Sequence, residues 1–286
     1  MLFVKNGHVK TMAGREFRNG CVLMDDNGKI AAVGENLDAP AGATVIDAQG
    51  RLVTPGVVEA HCHIGLDNEG IGWEGRDYNE IVDPITPQMR AIDSIYPQDE
   101  AFANAIAGGV TTACTGPGSA NVIGGTFVAI KLYGKRVDSM VVKNPLAMKC
   151  AFGENPKRCY GQGAKKSPMT RMAVAALLRE TLFRTKRYMQ DKADGKNPPF
   201  DMKLEAMEPV LRGEIPLKCH AHRADDILTA VRIAKEFGVG LTLDHCTDGA
   251  LIADELGKEG YPAFVGPTLG GKSKVELQNK SFTTTK

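Results

Sequence analysis

Net charge is almost absent from this 286-residue chain: 35 lysines and arginines face 34 aspartates and glutamates, a formal +1. Such a balance leaves no electrostatic footprint for nucleic acid or for an acidic membrane surface. No apolar run approaches the roughly 18 residues of a membrane span. The opening "MLFVKNGHVK" lacks the basic end, apolar stretch and cleavage site of a secretory signal. The seven cysteines are odd in number and scattered, with no CxxC pair, which reads as reduced thiols in a cytoplasmic protein. No repeat of fixed period and no low-complexity tract occurs. What remains is ordinary for a soluble globular protein, 43% hydrophobic and 24% charged, and long enough for one large domain or two smaller ones.

Two styles of sequence follow one another. Residues 1–54 read as short strands with turns, a small β unit in which Asn27-Gly28 is a strong hairpin signal. Residues 55–286 alternate strands with helices. "GVVEAHCHI", "VTTACTGPG", "NPLAMKCAFG", "IPLKCHAH", "GLTLDHCT" and "PAFVGPTL" read as strands. "DEAFANAIAGG", "ADDILTAVRIAKEFG" and "GALIADELGKEG" read as helices, each stopped by glycine. The long helix from Ser167 has that serine as its N-cap and Pro168 in its first turn. Repeated β-then-α units predict a parallel sheet, and their number favours a (β/α)8 TIM-like barrel over a short open sheet. The Pro/Gly-rich segments 64–96 and 153–167 then become loops over its active face.

Histidine is scarce, only six residues, yet five of them fall at the C-terminal ends of predicted strands: His61, His63, His220, His222 and His245. Active sites of β/α barrels lie at that end. In a strand, residues i and i+2 share a face, so His61 projects with His63, and His220 with His222. Paired imidazoles of this kind chelate divalent metals. His8, in the β unit, has no evident role. Cys62, Cys150, Cys219 and Cys246 adjoin polar candidates, and alternation turns them toward the helices as small apolar groups. Lys149 is a lysine inside an apolar strand, costly unless paired or modified. It reads either as a surface lysine or as a carbamylated lysine bridging two metals, with Glu154 a competing carboxylate. "TGPGSANVIGG" lacks the GxxxxGK[ST] pattern and predicts a loop at the mouth of the site.

On "TPGVVEAHCHIG", which follows a β unit ending "VIDAQGRLVTPG", and on "AMKCAFGENPKR", "KCHAHRADDI" and "LTLDHCTDG", the chain resembles the metal-dependent amidohydrolase superfamily. It is most similar to the imidazolonepropionase-related branch, which includes cyclic-amide hydrolases and peptidases acting on Xaa-Pro or Xaa-Arg. The resemblance implies a distorted (β/α)8 barrel with a β-sandwich. It implies His61 and His63 on a deeper divalent metal, zinc above all, and Lys149 as bridging carbamate. His220 and His245 would bind a second ion, with His222 as second-shell or substrate-facing; the choice between His220 and His222 stays open. The family's aspartate at the end of the eighth strand has no counterpart before Lys286, so the chain is expected to be an incomplete barrel lacking its last strand. Asp244 is expected to face outward, because it adjoins His245.

The implied reaction is hydrolysis of a C–N bond in a small amide, cyclic amide or dipeptide-like substrate by a metal-activated water. A one-metal deaminase on the same fold, or an inert truncated member, are the alternatives. Arg76 and Arg158 are candidates for pairing with a substrate carboxylate, and the 64–96 loop, with Trp73, Asp77 and Tyr78, for specificity. A homo-oligomer is compatible with the sequence, and no nucleic-acid or membrane partner is implied.

Overall fold

Asn27-Gly28 does make the turn its chemistry suggests. Gly28 has φ +72, and the Asp25 side chain accepts from the backbone N–H groups of Asn27 and Lys29 at 2.9 and 2.8 Å. The strands it joins are β2 (Glu16–Met24) and β3 (Ile30–Gly34). With β1 (Leu2–Lys10), β4 (Thr44–Asp47) and β5 (Leu52–Val53) they form one five-stranded sheet, ordered β3-β2-β1-β4, with β5 also on β1. In the computed structural model, which describes residues 1–285, the chain divides into units Met1–Val57 and Val58–Lys286.

The second sheet has seven strands: β6 (Val57–Cys62), β7 (Val110–Thr115), β8 (Ile123–Lys131), β9 (Val141–Ala151), β10 (Leu217–Ala221), β11 (Leu241–His245) and β12 (Ala263–Val265). They pair in sequence order from β12 to β6. From β9 to β12 the pairs are parallel, as expected, but β8 runs antiparallel to both β7 and β9. This corrects the strictly alternating (β/α)8 reading. The Gly/Pro-rich run before residue 126 masks a strand in which every residue but Lys131 is buried. A strand covered on both faces shows no period-2 pattern to read. Between β6 and β12 no pairing occurs among the described residues.

Helices cover the outward face of the parallel part. The 23-residue helix Arg171–Ala193 starts from Thr170, whose hydroxyl accepts from Ala173 N–H at 3.1 Å. The cap is therefore Thr170 and not Ser167. Helix Ala224–Phe237 stops at Gly238, φ +66. Val174, Leu178, Leu182, Ile227, Val231 and Ile233 pack there with Cys150, Cys219 and Leu243 of the sheet. No helix among the described residues is long and apolar enough to cross a membrane.

Candidate metal centre

Strand register builds the inner face. Lys218 lies beside Lys149, and His220 beside Asp244, so all four share the side opposite Cys150 and Cys219. Asp244 thus faces inward, against expectation, and is fully buried. Alternation should then turn His245 outward. Instead the chain bends: His245 and Cys246 have φ of +77 and +43, a left-handed conformation uncommon in non-glycine residues. The bend returns the His245 ring to the inner face, where its Nδ1 lies 2.7 Å from the Gly266 carbonyl.

At the deep end, Asp244 Oδ1 accepts from Lys218 Nζ at 2.6 Å and Oδ2 from Lys149 Nζ at 3.2 Å. His61 Nδ1 is 3.3 Å from Oδ2 without the alignment of a hydrogen bond. Phe127 walls this corner, stacked on His61 at 5.7 Å and facing both ammonium groups. Burial would raise the Asp244 pKa, but Lys149, then His61 and Lys218, hold it well below the carboxylate range. Burial lowers Lys149 below the ordinary lysine value, with Asp244 opposing.

At the outer end, the rings of His220, His222 and His245 lie 4.6–4.8 Å apart, with candidate ligand atoms all within 4.8 Å of one another. His61 connects the two ends, 5.1 Å from His245 and 5.4 Å from His63. Burial, aided by neighbouring cations, pushes His61 down to about 2, His222 to about 3 and His245 to about 4. His63 and His220 are lowered too, again first by burial. All five are therefore neutral near pH 7.

Neutral rings suit a metal. Nδ1 of His63 and of His245 faces a backbone carbonyl, of Gly116 and Gly266, each at 2.7 Å. A carbonyl only accepts, so Nδ1 carries the proton and Nε2 keeps its lone pair. His222 Nδ1 is paired with Thr247 Oγ1 at 2.7 Å. Nδ1 of His61 and of His220 are buried without a hydrogen-bond partner. This donor set fits a divalent cation.

No described family's sequence profile matches the chain. An amidohydrolase of known structure from Thermotoga maritima MSB8 is 44% identical and superposes with a TM-score of 0.94, over 98% of this chain and 74% of that one. This chain belongs to the metal-dependent amidohydrolase superfamily. Its seven-stranded sheet accordingly fits a partial TIM-like barrel. Amidohydrolase tasK of Hapsidospora irregularis is 31% identical over 265 residues, 83% of this chain and 27% of that protein. A 5'-deoxyadenosine deaminase of Methanococcoides burtonii is 45% identical over 67 residues, 23% of this chain and 15% of that one. The matched segments thus cover about a quarter or less of the length of these curated relatives.

The remaining candidates surround this centre. Arg76 is exposed and sits 3.8 Å from the exposed Asp67, whose backbone N–H donates to the His63 carbonyl at 3.1 Å. Arg158 is exposed but lines a cavity of about 360 Å³ with His63, Tyr78 and Asn155. Tyr78 stacks on His63 at 5.4 Å. Glu154 lines a cavity with Lys157, Arg158 and Glu276, and Glu276 Oε1 lies 3.7 Å from Nε2 of both His220 and His222. Trp73 is exposed. Sequence reasoning missed Lys218, which the i, i+2 rule applied to His220 would have found, and Glu276, which no local signal marks.

Proposed function

We propose that the chain carries the metal centre of a hydrolase acting on the C–N bond of a small amide, cyclic amide or dipeptide-like substrate. The observation behind this reading is the convergence of five neutral imidazoles and Lys149 on one buried face. His61 and His63 would hold a deeper ion and His220 and His245 a second, with His222 beside them; an all-nitrogen and oxygen donor set of this kind favours zinc. When bound, the metal would polarise the substrate carbonyl and lower the pKa of a bound water from about 15.7 toward 7.

The chain's own residues prepare that chemistry. Gly116 and Gly266 fix the tautomers of His63 and His245. Phe127 and the buried strands keep bulk water from the deep end. Two ammonium groups on one buried carboxylate leave an excess positive charge that opposes cation binding. Lys149 resolves it: burial favours its neutral amine, which attacks carbon dioxide, loses a proton and becomes a carbamate anion. Asp244 keeps its contact with Lys218 at 2.6 Å and, held ionised, is a poor proton carrier.

A second reading, a one-metal deaminase, is favoured by the Lys149–Asp244 ion pair, which occupies the lysine without modification. Metal analysis, a 13C carbamate resonance after 13CO2 labelling, and assays on N-acyl amino acids, dipeptides, cyclic ureides and aminopurines test both. Two metals, a carbamate signal and amide hydrolysis are expected. One metal, no carbamate and ammonia release from an aminopurine would replace this reading with the deaminase, and absence of bound metal would overturn both.

A further inference from the structure

Glu276 is 1% exposed, yet its Oε1 has no aligned hydrogen bond. The opposite oxygen is tied down. Oε2 accepts from Glu154 N–H at 2.9 Å and fits over Gly153, where an added Cβ would lie 2.6 Å from it. Gly153 has φ +80, which also disfavours any side chain there. The carboxylate is thereby aimed, with Oε1 at 3.7 Å from two imidazole nitrogens. That separation is too long for a hydrogen bond. It is close to the ~3.4 Å that separates two ligand atoms on one tetrahedral zinc with bonds of about 2.1 Å. A cation already sits beside it, since the Lys274 ammonium is 2.7 Å from Oε1. Asn155 Oδ1 holds that ammonium at 2.9 Å, and Asn155 Nδ2 is 3.3 Å from His220 Nε2.

We propose that Glu276 is an oxygen ligand of the divalent cation at His220, His222 and His245, and that the Lys274 ammonium stands in for that cation when none is bound. The proposal rests on the metal-dependent reading above and adds a ligand from outside the strands. The segment that carries it also lines the cavity of about 370 Å³ in front of the three histidines, with Lys274, Leu277 and Lys280. Binding the cation would therefore fasten one wall of the cavity to the metal.

Cobalt(II) titration of the full chain against a competing chelator, followed by the d–d absorption of the bound ion, tests this. Glu276→Gln should weaken one bound equivalent about 10–100-fold and change its spectrum. Lys274→Met should tighten that same equivalent several-fold, because it removes the competing cation. A merely structural role would weaken binding in both variants, so the opposite signs are diagnostic. Wild-type affinity and spectrum in Glu276→Gln, or equal weakening in both, overturns the Glu276 assignment alone. If the wild-type chain binds no cobalt, the assignment and the metal-dependent reading fall together.

Discussion

At the deep end of the site Lys149 and Lys218 both reach Asp244, and all three are buried. At the outer end the ligand atoms of three imidazoles lie within 4.8 Å of one another, and a carboxylate oxygen that makes no aligned hydrogen bond lies 3.7 Å from two of them. Strands β10 and β11 supply residues to both ends, and β9 and β6 add Lys149 and His61 to the deep one. The difference lies in what each end needs. The deep end pairs each charged group with a partner from within the chain, two ammonium groups sharing one carboxylate, and so contributes to holding the sheet together. The outer end leaves imidazole lone pairs unused and covers its carboxylate oxygen only with the Lys274 ammonium, which costs stability and leaves affinity for a ligand.

Removing Asp244 breaks the comparison most directly. Asp244→Ala strands two buried ammonium groups, and loss of one partner of a buried ion pair costs about 3–5 kcal/mol. Urea unfolding should show that loss, without a matching loss from substitutions at the outer end. A change under ~1 kcal/mol would mean that the lysines are already neutral and that the deep end is not an ion-pair cluster.

Acid sharpens the same contrast in metal-stripped protein. The unfolded chain takes up protons on its histidines as pH falls through about 6.5, while the folded site keeps them neutral down to about 4 for His245, 3 for His222 and 2 for His61. Stability is therefore full above about pH 6.5 and erodes below it. At pH 5.5 each imidazole that stays neutral costs about 1.4 kcal/mol, at most about 4 kcal/mol for these three. Unfolding curves at pH 7.5 and 5.5 should separate accordingly, and saturating zinc should raise both without widening the gap, because the folded rings are already neutral at either pH. Equal stability at the two pH values would show that the rings are protonated in place.

His245→Ala probes the outer end alone. It should cost about 1–2 kcal/mol of stability, because the ring packs on His61, His220 and His222 but carries no buried charge. Its main effect should appear in metal content, measured after dialysis against a weak chelator. Full retention of metal would remove His245 from the ligand set.

How much of this was legible depends on the physics behind each residue. The histidine pairs could be read because the strand period of two holds at His61/His63 and at His220/His222. Asp244 was turned the wrong way because His245 leaves that period, and "LDHCT" contains no glycine to announce a left-handed bend. Strand β8 was hidden for the opposite reason, its glycines reading as loop while its apolar residues face cover on both sides. Glu276 meets Glu154 across 122 residues of sequence. Only the folded chain brings them together, and periodicity carries no information over such distances.

Lys149→Met carries the smallest expected effect on stability and the sharpest test of the deep end. Methionine has a similar length and no charge. The substitution removes one of two ammonium groups from a single carboxylate and leaves Lys218 and Asp244 as a one-to-one pair at 2.6 Å. Replacing a buried charge with a well-packed apolar side chain is often neutral or stabilising. The folding free energy should accordingly move by less than about 1 kcal/mol, in contrast to Asp244→Ala at the same contact. Function should respond the other way, with loss of the bridging group, a lower metal stoichiometry and little hydrolysis. The pair of measurements separates two roles for Lys149. Destabilisation of several kcal/mol with metal content intact would make it a structural partner of Asp244, and would leave the deep end with no part in binding the cation.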